Sequence, residues 1–284
     1  MSRLFCFGLG YSARTLVHRL LAEGWTVAGT TRDGGRHDLP DSVTVLPFDR
    51  GRPLADAGAA LAGATHVLSS VPPDREGDAV LDMHGTALRE LAPRLAWIGY
   101  LSTTGVYGDR DGGWVDEDTP PAPDVDRARR RLAAEEGWRA LPGPAHIFRL
   151  GGIYGPGRSP LERVRRGEAR RIVKPGQVFC RIHVDDIAGA VAASMARPVP
   201  EGRIYNVVDD EPAPPQDVIA EAARLLDVTP PPEEPFEGAE LSPMAASFYN
   251  DSKRVSNRRL REELGYAPRY PDYRAGLRAL LAGM

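Results

Sequence analysis

Six residues near the start of the chain, Gly8-Leu9-Gly10-Tyr11-Ser12-Ala13, have the spacing G-x-G-x-x-A. Between a strand and a helix this spacing suits a pyrophosphate. Gly8 permits the tight turn, Gly10 lets the backbone approach phosphate oxygens, and Ala13 keeps the helix near the strand. The helix start, with Tyr11 and Ser12 in its first turn, offers unbonded N–H groups and the positive end of a dipole. The next β-like run ends in Thr31-Arg32 instead of a carboxylate. An acidic residue there would read a ribose 2′-hydroxyl, whereas hydroxyls and a guanidinium suit a 2′-phosphate, so NADP(H) is expected ahead of NAD(H). Asp33, one residue further on, keeps NAD(H) open as the alternative.

Two basic runs could also do chemistry. Arg127-Ala128-Arg129-Arg130-Arg131 has helical spacing that brings Arg127, Arg130, Arg131 and Ala134 towards one face, as an arginine-lined site or as a solvated surface. Arg163-Val164-Arg165-Arg166, followed by Arg170-Arg171, could hold a phosphorylated or carboxylated substrate, or face solvent. It lacks interleaved aromatics, so nucleic acid is not expected as a partner. His183-Val184-Asp185-Asp186 has no second histidine at ligand spacing; His183 therefore reads as structural and no metal is expected.

These groups need a scaffold, and the chain alternates β-like and helical stretches through its first half. Apolar runs over 4–7, 25–30, 43–46, 66–71, 95–101 and 146–150 read as strands, and stretches over 12–23, 79–91 and 125–139 as helices. Such alternation predicts an α/β fold, a doubly wound parallel sheet of the Rossmann type, with a small C-terminal α+β substrate lobe. The expected division is 1–152 for the dinucleotide-binding domain and 153–284 for the interleaved lobe, with segments around 182–208 completing the sheet. After Gly152 prolines and glycines recur and the helices read as short; the proline cluster at 230–235 reads as a stiff loop. The formal net charge is −3, which gives no field directed at nucleic acid or an anionic membrane. Thirty-four of the thirty-six basic residues are arginine, Lys174 and Lys253 being the lysines. With two cysteines, no membrane-length apolar run and no signal-like start, a reduced cytoplasmic protein is expected.

Further motifs lie in order along the chain. Ser102-Thr103-Thr104-Gly105-Val106-Tyr107-Gly108 resembles the S-S-x-x-V-Y-G segment of the extended short-chain dehydrogenases/reductases, the NAD(P)-dependent epimerase/dehydratase group. Arg149-Leu150-Gly151-Gly152-Ile153-Tyr154-Gly155-Pro156-Gly157 is similar to its R-x-x-x-x-Y-G-P-G. Ile182-His183-Val184-Asp185-Asp186-Ile187-Ala188, Tyr205-Asn206-Val207 and Asp251-Ser252-Lys253 with Leu264-Gly265-Tyr266-Ala267-Pro268 resemble its later motifs. The resemblance implies a catalytic hydroxyl at Thr103, an adenine-contacting aspartate at Asp49, and ribose contacts from Ser69, Ser70 and Val71. It also implies that Leu150 and Gly151 run past the nicotinamide. One departure is sharp. Where the family carries Y-x-x-x-K, aligning the helix on its glutamate Glu135 puts Arg127 at the tyrosine and Arg131 at the lysine. No tyrosine lies between Tyr107 and Tyr154, and no lysine precedes Lys174. A guanidinium cannot exchange protons as tyrosine does. Thr103 or Tyr107 is then the expected proton donor, beside arginines that polarise an anionic substrate. The implied activity is NAD(P)-dependent redox or epimerase/dehydratase-like chemistry on a small polar, anionic or sugar-nucleotide-like substrate. The alternative is a non-catalytic NADP(H)-binding regulator or redox sensor. A homodimer is compatible with either.

Overall fold

The structure, a computed structural model, describes residues 2–284 and, within the helix over Pro243–Phe248, the side chains of Ala245, Ala246 and Phe248. In chain order the first half runs β1 (Arg3–Phe7), α1 (Tyr11–Ala22), β2 (Thr26–Thr31), β3 (Thr44–Pro47), α2 (Ala57–Leu61), β4 (His66–Ser69), α3 (Ala79–Leu91), β5 (Trp97–Thr103), β6 (Trp114–Val115), α4 (Asp126–Arg139) and β7 (Ala145–Leu150). The second half runs β8 (Gly152–Tyr154), α5 (Pro160–Arg165), β9 (Arg171–Val173), β10 (Arg181–His183), α6 (Val184–Ala196), β11 (Arg203–Val207), α7 (Pro215–Leu225) and β12 (Glu233–Pro235). It ends with α8 (Pro243–Phe248), β13 (Arg254–Val255), α9 (Arg258–Glu262) and α10 (Tyr273–Ala282).

Seven strands form one parallel sheet in the order β11-β7-β5-β4-β1-β2-β3, so the expected doubly wound fold is present. Side-chain alternation assigns the two faces. Leu4 and Cys6 of β1 pack with Leu16, Val17 and Leu20 of α1 and with Ile187, Val191 and Met195 of α6. Phe5 and Phe7 point the other way, towards Val80 and Leu88 of α3 and Ala134 and Trp138 of α4. The side chain of Asp78, at the head of α3, accepts from the Val80 and Leu81 N–H groups and from Trp138 Nε1 at 2.9 Å. One buried carboxylate thus caps α3 and ties it to α4.

The lobe has its own apolar cluster, in which Tyr154 and Leu161 meet Val218 and Ala222 of α7 and Tyr273 and Leu277 of α10. Two expectations are corrected here. The second half does contain long helices, α6, α7 and α10, of 13, 11 and 10 residues. Helix α6 buries ten of its residues, so its sequence is apolar all round and shows no amphipathic stripe. The end of the proline cluster is not loop: Glu233–Pro235 pairs in parallel with Arg171–Val173. Among the described residues no helix is long and apolar enough to cross a membrane.

Candidate active site

The G-x-G-x-x-A segment forms the turn from β1 into α1. Gly8 has φ +84°, and a Cβ there would lie 2.9 Å from Ser70 Oγ and 3.0 Å from Val71 Cγ2. Only glycine fits that combination. Its N–H donates to Thr30 Oγ1 at 2.9 Å, and its carbonyl accepts from the Ser70 hydroxyl, so β2 and the end of β4 clamp the turn. Gly10 heads α1 with no side-chain cap, and a Cβ on it would meet nothing within 4 Å. The first N–H groups of a twelve-residue helix therefore face open space, an arrangement that fits a pyrophosphate. Ala13 is buried against the sheet. The Tyr11 hydroxyl donates to the Pro156 carbonyl at 2.9 Å and the Arg158 guanidinium lies over its ring at 4.6 Å. Tyr11 thus ties the turn to the Gly155-Pro156-Gly157 loop. Burial pushes its phenol up to about 12, so it remains a donor.

The neighbouring strand ends carry the other expected cofactor contacts. Thr31 is buried and donates to the Gly35 carbonyl at 3.0 Å, while Arg32 is exposed and its carbonyl accepts from Arg52. The Gly35 N–H, with Thr31, holds the Asp33 carboxyl below the usual range. Asp33 is thus fixed in a turn beside Arg32. Asp49 is half-buried in an antiparallel bridge with Arg52, following β3. Ser69 is fully buried at the end of β4, with no hydrogen-bond partner for its Oγ among the described residues, and Ser70 and Val71 follow it under Gly8.

A second region lies at the same carboxyl edge of the sheet, where β5 and β7 end: a cleft of about 1020 Å³ between the sheet and the lobe. Thr103, Arg127, Arg131, Leu150 and Gly151 line it together. Thr103 ends β5 and its Oγ1 accepts from the Gly105 N–H at 3.1 Å, which leaves its own proton to donate. Arg131 is held in place, donating to the Leu101 carbonyl at 2.9 Å and the Tyr100 hydroxyl at 3.1 Å. The Arg127 guanidinium stacks 4.5 Å over the Phe248 ring of α8. Tyr107 is not brought to this cleft. The short 3₁₀ turn over Thr104–Tyr107 rotates it into the interior, where its hydroxyl donates to Asn206 Oδ1 at 2.8 Å and Arg149 lies 4.8 Å over its ring. Burial pushes the phenol up to about 12, and because its proton is given to Asn206 away from the cleft, the expected role as proton donor to a substrate gives way to a packing role.

Behind the cleft, Glu135 and Arg149 form a buried ion pair, 2.7 Å at its shortest, with 2% and 3% of their side chains exposed. Ser102 completes it by donating to Glu135. Glu135 lies one helical turn beyond Arg131, and Arg149 immediately precedes Leu150 and Gly151. The pair therefore fixes both walls of the cleft relative to each other.

No protein-family model matches the chain. Individual proteins do. It is 32% identical to the protein YeeZ of Escherichia coli, with 96% of this chain and 97% of that one covered. A 3-diazoavenalumate denitrifying reductase from a Streptomyces is 29% identical over 94% of this chain and 96% of its own. A conserved protein of unknown function from Silicibacter pomeroyi superposes with a TM-score of 0.93 at 50% identity, covering 100% and 99% of the two chains. A protein from Methylobacillus flagellatus described as a candidate NAD-dependent epimerase/dehydratase superposes at 0.75 and 30% identity, covering 100% and 98%. The chain belongs to the extended short-chain dehydrogenase/reductase family. More distant members of the fold, at 16–22% identity, superpose at 0.75–0.77.

In this extended short-chain dehydrogenase/reductase further side chains line or border the cleft. Lys253 is 8% exposed, donating to the Gly108 carbonyl at 2.9 Å and to Asp251 Oδ1 at 2.7 Å. Its rarity in a chain so rich in arginine was the available signal: a compact ammonium fits where a planar guanidinium does not. Cys180 also lines the cleft, its thiol pushed up to about 11 by burial and therefore unreactive as a thiolate. Arg181 spends Nη1 on the Phe179 and Ala213 carbonyls. Asp209, next to Arg181, is 2% exposed, and burial raises its carboxyl to about 8. His183 accepts from the Asp185 N–H at 3.2 Å through Nδ1 and packs between Tyr154 and Tyr270, a structural setting.

Proposed function

We propose that this protein is an NADP(H)-dependent oxidoreductase or epimerase/dehydratase-like enzyme that acts on a small polar, anionic or sugar-nucleotide-like substrate. The observation that carries the proposal is a single sheet edge bearing two complementary features. One is the uncapped, open start of α1 behind Gly8 and Gly10; the other is the cleft where Thr103, Arg131 and Gly151 meet. The carboxyl edge of an open parallel sheet is where such folds bind ligands. The reductase name of the Streptomyces relative and the epimerase/dehydratase description of the Methylobacillus structure support the reading.

A bound nicotinamide would supply hydride transfer; the residues of the chain supply the remainder. The N–H groups at the head of α1 hold pyrophosphate, and the Arg32 guanidinium holds a 2′-phosphate. The Thr103 hydroxyl, already accepting from Gly105, donates to a substrate oxygen or nitrogen. Arg127 and Arg131 attract an anion and polarise the bond being reduced, but neither releases a proton at working pH. The same two arginines favour a second reading, a dinucleotide-binding regulator, because α4, the helix aligned with the family's Tyr-x-x-x-Lys segment, has neither a tyrosine nor a lysine.

Fluorescence titration with NADPH and NADH tests the binding step. Arg32→Ala should weaken NADPH roughly 10- to 100-fold and NADH little, the range of a charge-assisted hydrogen bond. Equal losses would remove the 2′-phosphate assignment. A panel of carbonyl and sugar-nucleotide substrates, run with the native protein and Thr103→Val, separates the two readings. Turnover that collapses in Thr103→Val supports the enzyme, whereas tight NADPH binding with no turnover across the panel supports the regulator.

A further inference from the structure

Part of the cleft lining is built of aromatic rings set among guanidinium groups. Phe179 and Tyr249 meet edge to face with centroids 5.5 Å apart, and Phe248, half-exposed, lies on the same wall. Three arginines surround the Tyr249 phenol. Burial pushes its pKa up, while Arg163, Arg181 and Arg170 pull it back down. Two of the three are already committed, Arg170 to Glu234 and the Glu240 carbonyl, and Arg181 to the carbonyls of Phe179 and Ala213. Arg163 is exposed, lines the cleft and makes no ion pair among the described residues. The Tyr249 hydroxyl likewise makes no hydrogen bond among the described residues.

Resting on the proposed function, we infer that this part of the cleft recognises an aromatic monocarboxylate, the ring against Phe179 and Tyr249 and the carboxylate on Arg163. Aromatic edges and faces favour a planar ring over a saturated one of equal size. A guanidinium fork matches one carboxylate bidentately. Of the three guanidinium groups around the Tyr249 phenol, Arg163 is the one left to complement a single negative charge. The reducible bond of such a substrate would then lie towards Thr103 and Gly151.

Isothermal titration calorimetry tests this with benzoate, trans-cinnamate, cyclohexanecarboxylate, benzamide and UDP-glucose, each with and without saturating NADPH. The aromatic acids should bind at least about tenfold more tightly than the saturated acid, the neutral amide and UDP-glucose. Arg163→Met should weaken them roughly 10- to 100-fold, while leaving the melting temperature and NADPH affinity unchanged. Phe179→Leu should erase the preference for aromatic over saturated rings. The inference is overturned if no aromatic acid binds, if UDP-glucose binds more tightly than they do, or if Arg163→Met leaves their affinity intact. Failure of NADPH to bind, with benzoate still dependent on Arg163, would instead sink the dinucleotide reading and leave this one standing.

Discussion

Glu135→Gln offers the sharpest probe of how the cleft is held together. The change is isosteric, so it leaves no cavity and isolates charge. In the native protein Glu135 receives the Arg149 Nη2 at 2.7 Å, its Nε at 3.1 Å and 3.2 Å, and the Ser102 hydroxyl. Arg149 is 2% exposed and one of its nitrogens, Nη1, already has no partner. With a neutral amide opposite it, a full positive charge would remain in the interior, eased mainly by the Tyr107 ring at 4.8 Å. Removing one member of a buried pair typically costs about 3–5 kcal/mol. Total stability for a domain is about 5–15 kcal/mol, so about a fifth or more of it is at stake. Urea unfolding followed by tryptophan fluorescence is the assay, because Trp97 and Trp138 are fully buried in the sheet's two flanking cores. The expected result is a large drop in midpoint with unchanged slope. The double change Glu135→Gln with Arg149→Met should recover most of the loss, since it removes the stranded charge. A loss under about 1 kcal/mol for Glu135→Gln, or no recovery in the double variant, would refute the argument that this pair sustains the cleft walls.

Gly8→Ala places a methyl 2.9 Å from Ser70 Oγ on a backbone with φ +84°. It should cost about 1–3 kcal/mol of stability and weaken NADPH more than tenfold; calorimetry with NADPH titration reads both. Asp209 carries a folded-state pKa of about 8, raised by burial above its ordinary 3.8. Between those values the folded protein keeps a proton that the unfolded chain has released, so this group lowers stability as pH rises from about 4 to 8. Asp209→Asn should remove that slope and raise the melting temperature at pH 8 more than at pH 5; an equal rise at both would contradict the burial argument. Tyr11→Phe should cost about 0.5–1.5 kcal/mol through the lost bond to the Pro156 carbonyl, read by thermal unfolding.

Much of this was legible in sequence, where the determinants are local. The run Leu4-Phe5-Cys6-Phe7 into Gly8 and the spacing of Leu16, Leu20 and Leu21 announce strand, turn and helix through contacts a few residues apart. Helix α6 escaped because it packs against both α1 and the sheet, and burial of ten of its residues erases the periodic pattern that marks a helix. Tyr107 looked like a proton donor because its motif follows a strand end. Whether a side chain there faces the cleft depends on one 3₁₀ turn that spacing does not encode.

The sequence by itself determined the α/β layout, the glycine turn, the hydroxyl at Thr103 and the presence of Arg127 and Arg131 on one helix. All of these depend on residue type and short-range order. Only the tertiary structure decided which groups share a cleft. Arg163 on α5 and Phe179 before β10 lie seventy residues or more from Tyr249 after α8 and Lys253 before β13, and the packing of the lobe against the sheet gathers them. It also decided which charges are spent. Arg149 closes on Glu135 in the interior, whereas Arg163 stays exposed in the cleft. A guanidinium reads the same in a sequence whether a carboxylate already meets it or not.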